Sequence, residues 1–570
     1  MKKWRVEKTH VQKNGSGASL DRLTEIKETL LRIRAITDPK ETEYFLHPPS
    51  PYDLTAFDVG IDPKEMKIGI TRILQAHDTK ESVVVYADYD ADGVTSGAIM
   101  WEMLHSLGFN VMPYIPHRIE EGYGLSEKGI DKVREEFHPS LIITVDHGIT
   151  AHEKVAYAKK HGIDIIVTDH HVKPDILPDC PIIHTTRLCG AGVSWFVAKE
   201  VTQAIGDSSL KHPLGNAWKD EILALACIGT IADMVPIIGP NRAIVSWGLS
   251  AVRKSSRVGL RAIIEESGID QKVIGTYEIS HVIAPRLNAM GRLDHAIDAL
   301  RLLCTHKIER ARELASALGE TNKERQGLTI DTVLQAKSLI SEVLHKLIFL
   351  GHADFNPGVI GLVAGKIVEE YYRPCIVLSL GETLSKASAR SISGFNMIEA
   401  IRTCSDLLVD VGGHPMAAGF TVETKNIDAL KKRLEDLADV SIPDESLVRE
   451  VRIDVELFKD DDLQKICEML GDFKPFGFGN VEPVFALFGV KIMEVKKIGK
   501  EGKHIKLSVQ AGDDIYEVLV FNGTAYAPWI AVGVSVDLCF TLDINTWNGR
   551  STLQLKAKDI KLHIDEYQSA

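Results

Sequence analysis

The sequence predicts an α/β protein with a parallel sheet, a second and smaller α/β domain, and an all-β domain at its C-terminal end. Short apolar runs alternate with helical stretches from Glu81 onward, which is typical of buried parallel strands separated by helices. A second alternation of this kind begins at Leu347. From about residue 450 polar and apolar residues alternate instead, and the pair Asn548 and Gly549 indicates a hairpin turn.

Composition indicates a soluble protein of several domains. The chain has 570 residues, 45% of them hydrophobic and 25% charged, which is more than one hydrophobic core usually serves. The longest apolar stretch, residues 222–232, is too short to cross a bilayer, and the N-terminal residues contain no apolar signal region. The eight cysteines include no CxxC pair, so neither a zinc ribbon nor a disulfide framework is indicated. We expect three or four domains in a cytoplasmic protein without membrane association.

The overall charge argues against a polyanionic partner. The formal net charge is -13, from 66 Lys and Arg against 79 Asp and Glu. Bulk electrostatics of this sign would repel nucleic acid. A nucleic-acid partner would therefore have to be held by local clusters of basic residues or by metal ions.

Five segments follow from these patterns. Residues 1–80 are expected to form a mostly helical lead-in, interrupted by a proline-rich break at residues 47–51. Residues 306–346 contain no proline and are rich in helix formers, which predicts a long connecting helix. The predicted segments are the lead-in 1–80, an α/β domain 81–305, the connecting helix 306–346, a second α/β domain 347–445 and a β-domain 446–570.

Three aspartates stand at alternate positions directly after a predicted buried strand and before a helix: Asp88, Asp90 and Asp92. Carboxylates this close raise each other's pKa unless solvent or a cation neutralises them. On this motif alone a divalent-metal site, a solvated Asp-rich turn and a calcium loop of the EF-hand kind all remain open.

Two further strands favour the metal site. One ends at Asp146 and His147, and the other at Asp169, His170 and His171. The carboxyl ends of parallel strands lie on one edge of a sheet, where ligands bind. Asp233 ends an apolar helical run, where a buried carboxylate without a partner would be costly. Carboxylate and imidazole donors without thiolate suit Mn²⁺ or Mg²⁺, and two such ions can clamp the attacking and leaving oxygens of a phosphodiester.

These motifs resemble a known family. DYDADG at residues 88–93, VDHG at 145–148, TDHH at 168–171 and ADMVP at 232–236 resemble the four motifs of the DHH phosphoesterases, and GGHPMAAG at 412–419 resembles the glycine-rich motif of the DHHA1 domain. With the blocks at residues 116–125, 284–293 and 476–483, they resemble the RecJ family of single-strand-specific 5′-to-3′ DNA exonucleases from about residue 50 onward. The resemblance implies a parallel-sheet DHH domain, a smaller α/β DHHA1 domain joined to it by a long helix, and a C-terminal OB-fold domain.

The resemblance also implies roles for the acidic and histidine residues. Asp92, Asp146, His170 and Asp233 would hold one metal ion. Asp90 and the bridging Asp146, with help from Asp88, would hold a second ion. His171 would lie beside the scissile phosphate, and His147 would orient Asp146.

Substrate binding is implied for residues of several blocks. In the family, the positions of Arg118, Arg286, Ser388 and Arg390 contact the DNA backbone or the terminal 5′-phosphate, and an arginine fork suits a terminal phosphate. Asn288, Gly413 and His414 complete the expected substrate site. For any one of these arginines a surface ion pair remains the alternative. In the OB-like domain, a basic set and three aromatic residues suit phosphate tracking and base stacking. Aromatic residues are more often core than a stacking platform, and lysines of a β-hairpin are commonly just solvated. The residues are Lys496, Lys497, Lys500, Lys503, Lys506, Tyr516, Phe521 and Trp547.

The implied activity is a single-strand-specific 5′-to-3′ DNA exonuclease of DNA repair and recombination. It would use two Mn²⁺ or Mg²⁺ ions per site, act on strands with a 5′-phosphate and release 5′-mononucleotides. The implied protein partners are a single-stranded-DNA-binding protein and a RecQ-type helicase. Tyr86 stands where pyrophosphatases and oligoribonucleases of the superfamily usually carry a metal-binding histidine, which favours the exonuclease branch.

Two alternatives remain open. One is a DHH/DHHA1 phosphodiesterase that acts on oligoribonucleotides or cyclic dinucleotides. The other is a catalytically silent DNA-binding scaffold, although such a protein would be expected to have lost metal ligands that are all present here.

Overall fold

The computed structural model describes residues 2–7, 21–118, 120–122, 124–206, 215–341, 343–547 and 550–564. The chain divides into two compact units. We call Pro48–Leu447 together with Gly477–Gly479 the large unit. We call Met1–His47, Val448–Phe476 and Asn480–Ala570 the terminal unit. The predicted lead-in 1–80 is thus not one segment, because its two halves pack into different cores.

The chain begins in the terminal unit with strand β1 (Lys3–Val6) and helices α1 (Arg22–Ile33) and α2 (Pro39–Leu46). Asp38 caps α2, its carboxylate accepting hydrogen bonds from the backbone N–H groups of Lys40 and Glu41. The large unit then begins with α3 (Pro63–Asp78), which starts in the same way with an aspartate cap, Asp62, followed by proline.

The first sheet of the large unit is parallel throughout. Its strands are β2 (Ser82–Ala87), β3 (Asn110–Tyr114), β4 (Leu141–Val145), β5 (Asp164–Asp169) and β6 (Ile182–His184), in the order β3-β2-β4-β5-β6. Every residue of β4 is buried, as the unbroken apolar run predicts. The intervening helices are α4 (Ala91–Ser106), α5 (Glu127–Phe137), α6 (His152–Lys160) and α7 (Gly190–Ile205).

A helical section follows the first sheet. Its helices are α8 (Trp218–Ala232), α9 (Gly239–Lys254), α10 (Val258–Ser267), α11 (Thr276–Glu278), α12 (Ala284–Leu293) and α13 (Ile297–Cys304), with a π-helical turn at Ile279–Ile283. The connecting helix α14 spans Ile308–Ser338 and ends eight residues before the predicted residue 346. Just beyond the helix, Ile340 packs against the core of the next sheet.

The second sheet of the large unit is mixed. It contains β7 (Ile348–His352), β8 (Cys375–Ser379), β9 (Leu384–Arg390), β10 (Leu408–His414) and β11 (Ala417–Glu423), in the order β10-β11-β9-β8-β7. Only β7 and β8 pair in parallel. The helices of this part are α15 (Ile360–Tyr371), α16 (Met397–Arg402) and α17 (Ile427–Ser441).

The terminal unit is completed by a β-barrel. Its elements are β12 (Glu450–Ile453), β13 (Val455–Glu456), α18 (Leu463–Met469), β14 (Phe485–Ile498), β15 (His504–Ala511), β16 (Asp514–Val520), β17 (Ser535–Trp547) and β18 (Arg550–Leu562). The order β14-β15-β16-β18-β17, closed by pairing of β14 with β17, is that of an OB-type barrel. Strands β17 and β18 pair antiparallel, and the predicted turn at Asn548 and Gly549 lies outside the described residues. The predicted fold class is confirmed.

Candidate active site

The predicted acidic and histidine residues converge at the carboxyl edge of the first sheet. Their ligand atoms form three groups within which all atoms lie within 4.8 Å of one another. The groups are Asp92, His170 and Asp233; Asp88, Asp90 and Asp146; and Asp146, His170 and His171. Asp146 and His170 each belong to two groups, so the groups form one continuous cluster.

Several polar atoms of this cluster are buried without a hydrogen-bond partner among the described residues. They are Asp88 Oδ1, Asp146 Oδ1 and His170 Nε2. His170 Nε2 lies 3.1 Å from Asp146 Oδ1, 3.7 Å from Asp233 Oδ2 and 3.9 Å from Asp92 Oδ2. Buried polar atoms are almost always partnered, so oxygen and imidazole donors left open in this way fit a divalent cation.

The pKa shifts of the cluster are those expected of a site that binds positive charge. Burial, followed by repulsion from neighbouring carboxylates, raises the pKa of Asp88, Asp90 and Asp146. The same causes raise the pKa of Asp233 to about 9. Burial lowers the pKa of His170, which leaves its imidazole neutral and able to act as a ligand. Cations would replace protons on these carboxylates at neutral pH.

The backbone brings these side chains into place. Asp90 caps α4 and accepts a hydrogen bond from the Gly93 N–H at 3.0 Å. Asp92 accepts hydrogen bonds from the N–H groups of Gly190 and Ala191, at 2.7 and 2.8 Å, in the first turn of α7. A Cβ atom at Gly190 would lie 2.5 Å from Asp146 Cβ, so glycine is required for this approach. Sequence reasoning did not single out Gly190.

His171 is oriented by Asp169. The two side chains meet through Nδ1 and Oδ1 at 2.7 Å, and the backbone N–H groups of Ile149 and His170 also donate to Asp169. Burial opposes the charge of His171, but the hydrogen bond and nearby carboxylates outweigh it and raise the pKa of His171. Burial likewise opposes the charge of Asp169, but its hydrogen bonds hold its pKa below the usual range. His171 is therefore favoured as a charged group.

His147 lies elsewhere than expected. Its Nε2 atom is 3.0 Å from the backbone carbonyl oxygen of Tyr86, rather than in contact with Asp146. Burial lowers the pKa of His147 to about 4, so this ring is neutral at pH 7. The geometry assigns His147 to fixing strand β2 next to the cluster.

Four arginines lie near one another beside the cluster: Arg292 is close to Asp90 and also to the other three, Arg118, Arg325 and Arg390. Burial, followed by repulsion from the other three arginines, lowers the pKa of Arg292 to about 10, while Asp90 opposes this. Arg118 lies over the ring of Tyr89, 5.2 Å from its centroid. Within the described part of the chain, none of the four forms an ion pair with a carboxylate. Mutually repelling, unpaired arginines are suited to bind an anion.

Sequence reasoning found only half of this arginine cluster. Arg118 and Arg390 were expected from the family resemblance. Arg292 stands in the block at residues 284–293 and could have been found there, whereas Arg325 lies in the middle of α14 without any local signal.

Two other predicted substrate residues have partners in the protein. Arg286 forms an ion pair with Glu266 at 2.7 Å and donates to the carbonyl of Val282. Asn288 accepts a hydrogen bond from the Ala91 N–H at 2.7 Å, so it supports the loop that carries Asp90 and Asp92. Their contact with DNA stays a prediction.

The GGHPMAAG segment, the expected glycine-rich motif, is a β-hairpin. Gly413 pairs with Ala418 and His414 with Ala417 across β10 and β11. Strand β11 in turn pairs with β9, which puts Gly419 opposite Ser388 and Ala417 opposite Arg390. His414 is exposed. The hairpin therefore extends the sheet beside Ser388 and Arg390.

The basic set of the barrel does not form one face. Lys496 and Lys506 stand opposite each other on β14 and β15, whereas Lys497 stands opposite the buried Ile505. Lys506 pairs with Glu517, and Lys503 with Glu501. Phe521 is 53% exposed, and the side chain of Trp547 lies outside the described residues. Only part of this set is left available to a phosphate backbone.

Comparison with known proteins gives a consistent family. Family models match residues 82–230 as the DHH family N-terminal domain, 337–439 as the DHHA1 domain and 453–559 as the RecJ OB domain. The chain is 35% identical to the single-stranded-DNA-specific exonuclease RecJ of Bacillus subtilis, over 98% of this chain and 70% of that protein. The chain belongs to the RecJ family.

Solved RecJ structures match this chain over nearly its whole length. RecJ from Thermus thermophilus in complex with Mn²⁺ matches with a TM-score of 0.80 and 30% identity, covering 99% of this chain and 80% of that one. The Mg²⁺ complex of the same RecJ matches with a TM-score of 0.75 and 28% identity, covering 99% and 79%. In the part of this chain that the structure describes, no helix is long and apolar enough to span a membrane.

Proposed function

We propose that this RecJ-family chain is a metal-dependent exonuclease that hydrolyses single-stranded DNA from its 5′ end in DNA repair and recombination, in the cytoplasm. One observation carries the proposal: a cluster of unpartnered carboxylate and imidazole atoms adjoins four arginines that lack ion pairs among the described residues. The first set suits cations that activate a phosphodiester, and the second suits the phosphates of the strand.

Two Mn²⁺ or Mg²⁺ ions fit the three donor groups. Asp92, Asp146, His170 and Asp233 would hold one ion, and Asp88, Asp90 and the shared Asp146 the other. When bound, such ions supply positive charge that polarises a phosphodiester and lowers the pKa of an attacking water.

His171 is suited to the charge of the reacting phosphate. Hydrolysis forms a bond between water oxygen and phosphorus, breaks the bond from phosphorus to the 3′-oxygen, and leaves a proton for that oxygen. The raised pKa of His171, due to Asp169 against the effect of burial, favours an imidazolium that stabilises negative charge on the phosphate. The product is a nucleoside 5′-monophosphate.

The arginine cluster explains a preference for a 5′ end. A terminal phosphate carries more negative charge than an internal linkage, so it gains more from several converging arginines. Arg390 also donates to Ser388 Oγ at 3.2 Å, and both side chains adjoin Gly361 in the first turn of α15. The helix N-terminus adds to the positive potential there.

The test compares single strands labelled at either end, with and without a 5′-phosphate, in Mn²⁺. We expect mononucleotides from the 5′ end, faster with the phosphate, and no turnover by Asp146→Ala. Arg390→Ala and Arg292→Ala should reduce the preference for the phosphate, whereas the exposed Arg402→Ala in the same domain should not. Equal release from both ends, or full activity of Asp146→Ala, would falsify the proposal.

The same experiment separates the alternatives. Rapid cleavage of dinucleotides with none of long strands would indicate a small-substrate phosphodiesterase. Calorimetry without Mn²⁺ binding would indicate a silent scaffold. The implied protein partners, a single-stranded-DNA-binding protein and a RecQ-type helicase, are tested by whether either purified protein co-sediments with this chain.

A further inference from the structure

A glycine-rich segment packs against the loop that follows Asp233. The segment is Gly477–Gly479, part of the block at residues 476–483, and it belongs to the large unit although the residues on both sides of it belong to the terminal unit. We call it the strap. The strap contributes no residue to the metal and phosphate sites of the proposed function.

The strap makes close contacts with Pro236 and Ile237. The carbonyl oxygen of Phe478 accepts a hydrogen bond from the Ile237 N–H at 2.7 Å. A Cβ atom at Gly479 would lie 2.6 Å from Pro236 Cβ, and one at Gly477 would lie 2.4 Å from Ile237 Cδ1. Gly479 also has a φ of +74°, which disfavours any other residue. Gly479 is therefore required for this contact, whereas a side chain at Gly477 would displace the end of the buried Ile237 side chain.

The loop held by the strap begins at a proposed metal ligand. Asp233 is the residue at which α8 ends, and Met234 follows in the left-handed region with a φ of +61° and 61% exposure. Further along, the loop is held at Pro236, whose carbonyl oxygen accepts hydrogen bonds from Asn241 Nδ2 and the Ile238 N–H. Ile237 is buried. The path of residues 233–238 thus depends on the strap at its far end.

We propose that the strap is a positioning element that fixes residues 233–238 and thereby sets the affinity of the site for divalent cations. This inference rests on the proposed function, in which Asp233 holds a metal ion. Groups that orient metal ligands without touching the ion typically change metal affinity by about 10- to 100-fold when altered. The strap would act in this way through the backbone of Ile237.

The experiment measures Mn²⁺ binding to the full chain by calorimetry, together with kcat and KM on single-stranded DNA. Gly479→Ala should raise the apparent dissociation constant for Mn²⁺ about tenfold. Its kcat should fall at limiting Mn²⁺ and recover at saturating Mn²⁺, with the KM for DNA unchanged. Gly533→Ala is the matched control, because Gly533 has a φ of +88° but open space around its Cβ position, and it should bind Mn²⁺ as the unaltered chain does.

A second pair of variants tests whether the loss of Mn²⁺ binding can be reversed. Gly477→Ala should also weaken Mn²⁺ binding, and adding Ile237→Val should restore it, because valine lacks the Cδ1 atom that the new methyl group meets. Unchanged Mn²⁺ affinity in both folded glycine variants, or no restoration in the double variant, would overturn the proposal. Asp233→Ala distinguishes a failure of the ligand assignment from a failure of the strap proposal. If Asp233→Ala leaves Mn²⁺ affinity unchanged, Asp233 is not a ligand and both proposals fail. If Asp233→Ala weakens Mn²⁺ binding and the glycine variants do not, only the strap proposal fails.

Discussion

Asp146 has two features that destabilise the protein in the absence of a cation. Its backbone has a φ of +68°, and burial and four neighbouring carboxylates raise its pKa. A residue in such a position destabilises the protein without its cation and binds the cation strongly for the same reason. Stability and metal binding are therefore opposed at this position.

We expect Asp146→Asn to stabilise the metal-free protein and to lose stabilisation by metal. Asparagine replaces a carboxyl group that burial and its neighbours make costly to ionise, and it tolerates the left-handed backbone, so the free energy of unfolding in chelator should rise by about 1 kcal/mol. Thermal unfolding with chelator and with Mn²⁺ measures both effects. The exposed Asp164→Asn on the same sheet should retain the metal-dependent shift, and a metal-dependent shift in Asp146→Asn equal to that of the unaltered chain would contradict the expectation.

The contact between Asp169 and His171 predicts how kcat depends on pH. Because the folded pKa of His171 is raised, its charge is fully present below about pH 6.5 and is lost as the pH rises through the folded pKa. Asp169→Asn removes the carboxylate that most favours the charged form of His171, so the fall of kcat with rising pH should move to lower pH. Rates at saturating Mn²⁺ between about pH 5 and 9 measure this, with the exposed Asp179→Asn as control. A profile identical to that of the control would reject the role of Asp169.

At the level of residues, sequence reasoning identified most of the acidic cluster because these members lie at the ends of β2, β4 and β5, which are neighbours in the sheet. Parallel topology brings strand ends together whatever the separation in sequence, and so Asp88, Asp146 and His170 could be grouped. Arg325 could not be found in this way, since a residue within a long helix reaches the site only through the tertiary packing of α14. His147 was given the wrong partner for a similar reason, because its contact with Tyr86 lies across two strands.

At the level of elements, a buried ion pair joins helix α4 to the start of α10. Arg257 donates to Glu102 at 2.6 Å and to the carbonyl of Leu303 at 2.8 Å, and its side chain is buried. Glu221 of α8 lies 3.9 Å from the same guanidinium. Charges held in this way are stabilising only while each has its partner.

We expect Arg257→Met to lower the free energy of unfolding by about 3 to 5 kcal/mol, because it takes the guanidinium away from the buried carboxylate of Glu102. Adding Glu102→Leu should recover a large part of this loss. Urea unfolding measures both, and Arg301→Met, which breaks an exposed pair with Asp298, should cost less than about 1 kcal/mol. Equal losses for the buried and the exposed pair would contradict the prediction.

Strands and helices were predicted from sequence where local pattern and burial agree. The unbroken apolar runs of β4 and β5 exclude an exposed strand. The hairpin of the GGHPMAAG segment has no such local pattern, because its glycines have no strand preference and pairing with β9 holds it in the sheet. The end of α14 at Ser338 was missed because helix formers continue beyond it, so no local pattern marks the end.

At the level of the whole molecule, the terminal unit is built from both ends of the chain. Ile26, Leu30 and Phe45 share a core with Phe473, Phe485 and Phe540. Strand β1 pairs in parallel with β12, and the Trp4 indole donates to Asp559 Oδ2 at 2.7 Å. Sequence reasoning placed the first 47 residues elsewhere because no local pattern reveals a partner more than about 400 residues away.

We expect Leu30→Ala to destabilise the barrel, not just α1. The substitution leaves a cavity in the shared core and should cost about 2 to 5 kcal/mol. Amide hydrogen exchange of the full chain measures it: protection should fall in β14–β18 and remain in β2–β5. Val532→Ala, at a residue that is 65% exposed in the same unit, is the control. A loss of protection confined to α1 would contradict the shared core.

This construction has a consequence for the order of synthesis on the ribosome. Helix α1 is made early, but the barrel strands that share its core emerge only after about 450 further residues, roughly 20 to 90 s later at ordinary rates of translation. During that time the first sheet of the large unit can fold, while Ile26, Leu30 and Phe45 stay uncovered. An unfinished chain therefore displays an apolar helix that a finished chain hides, which is the kind of surface that chaperones and proteases recognise.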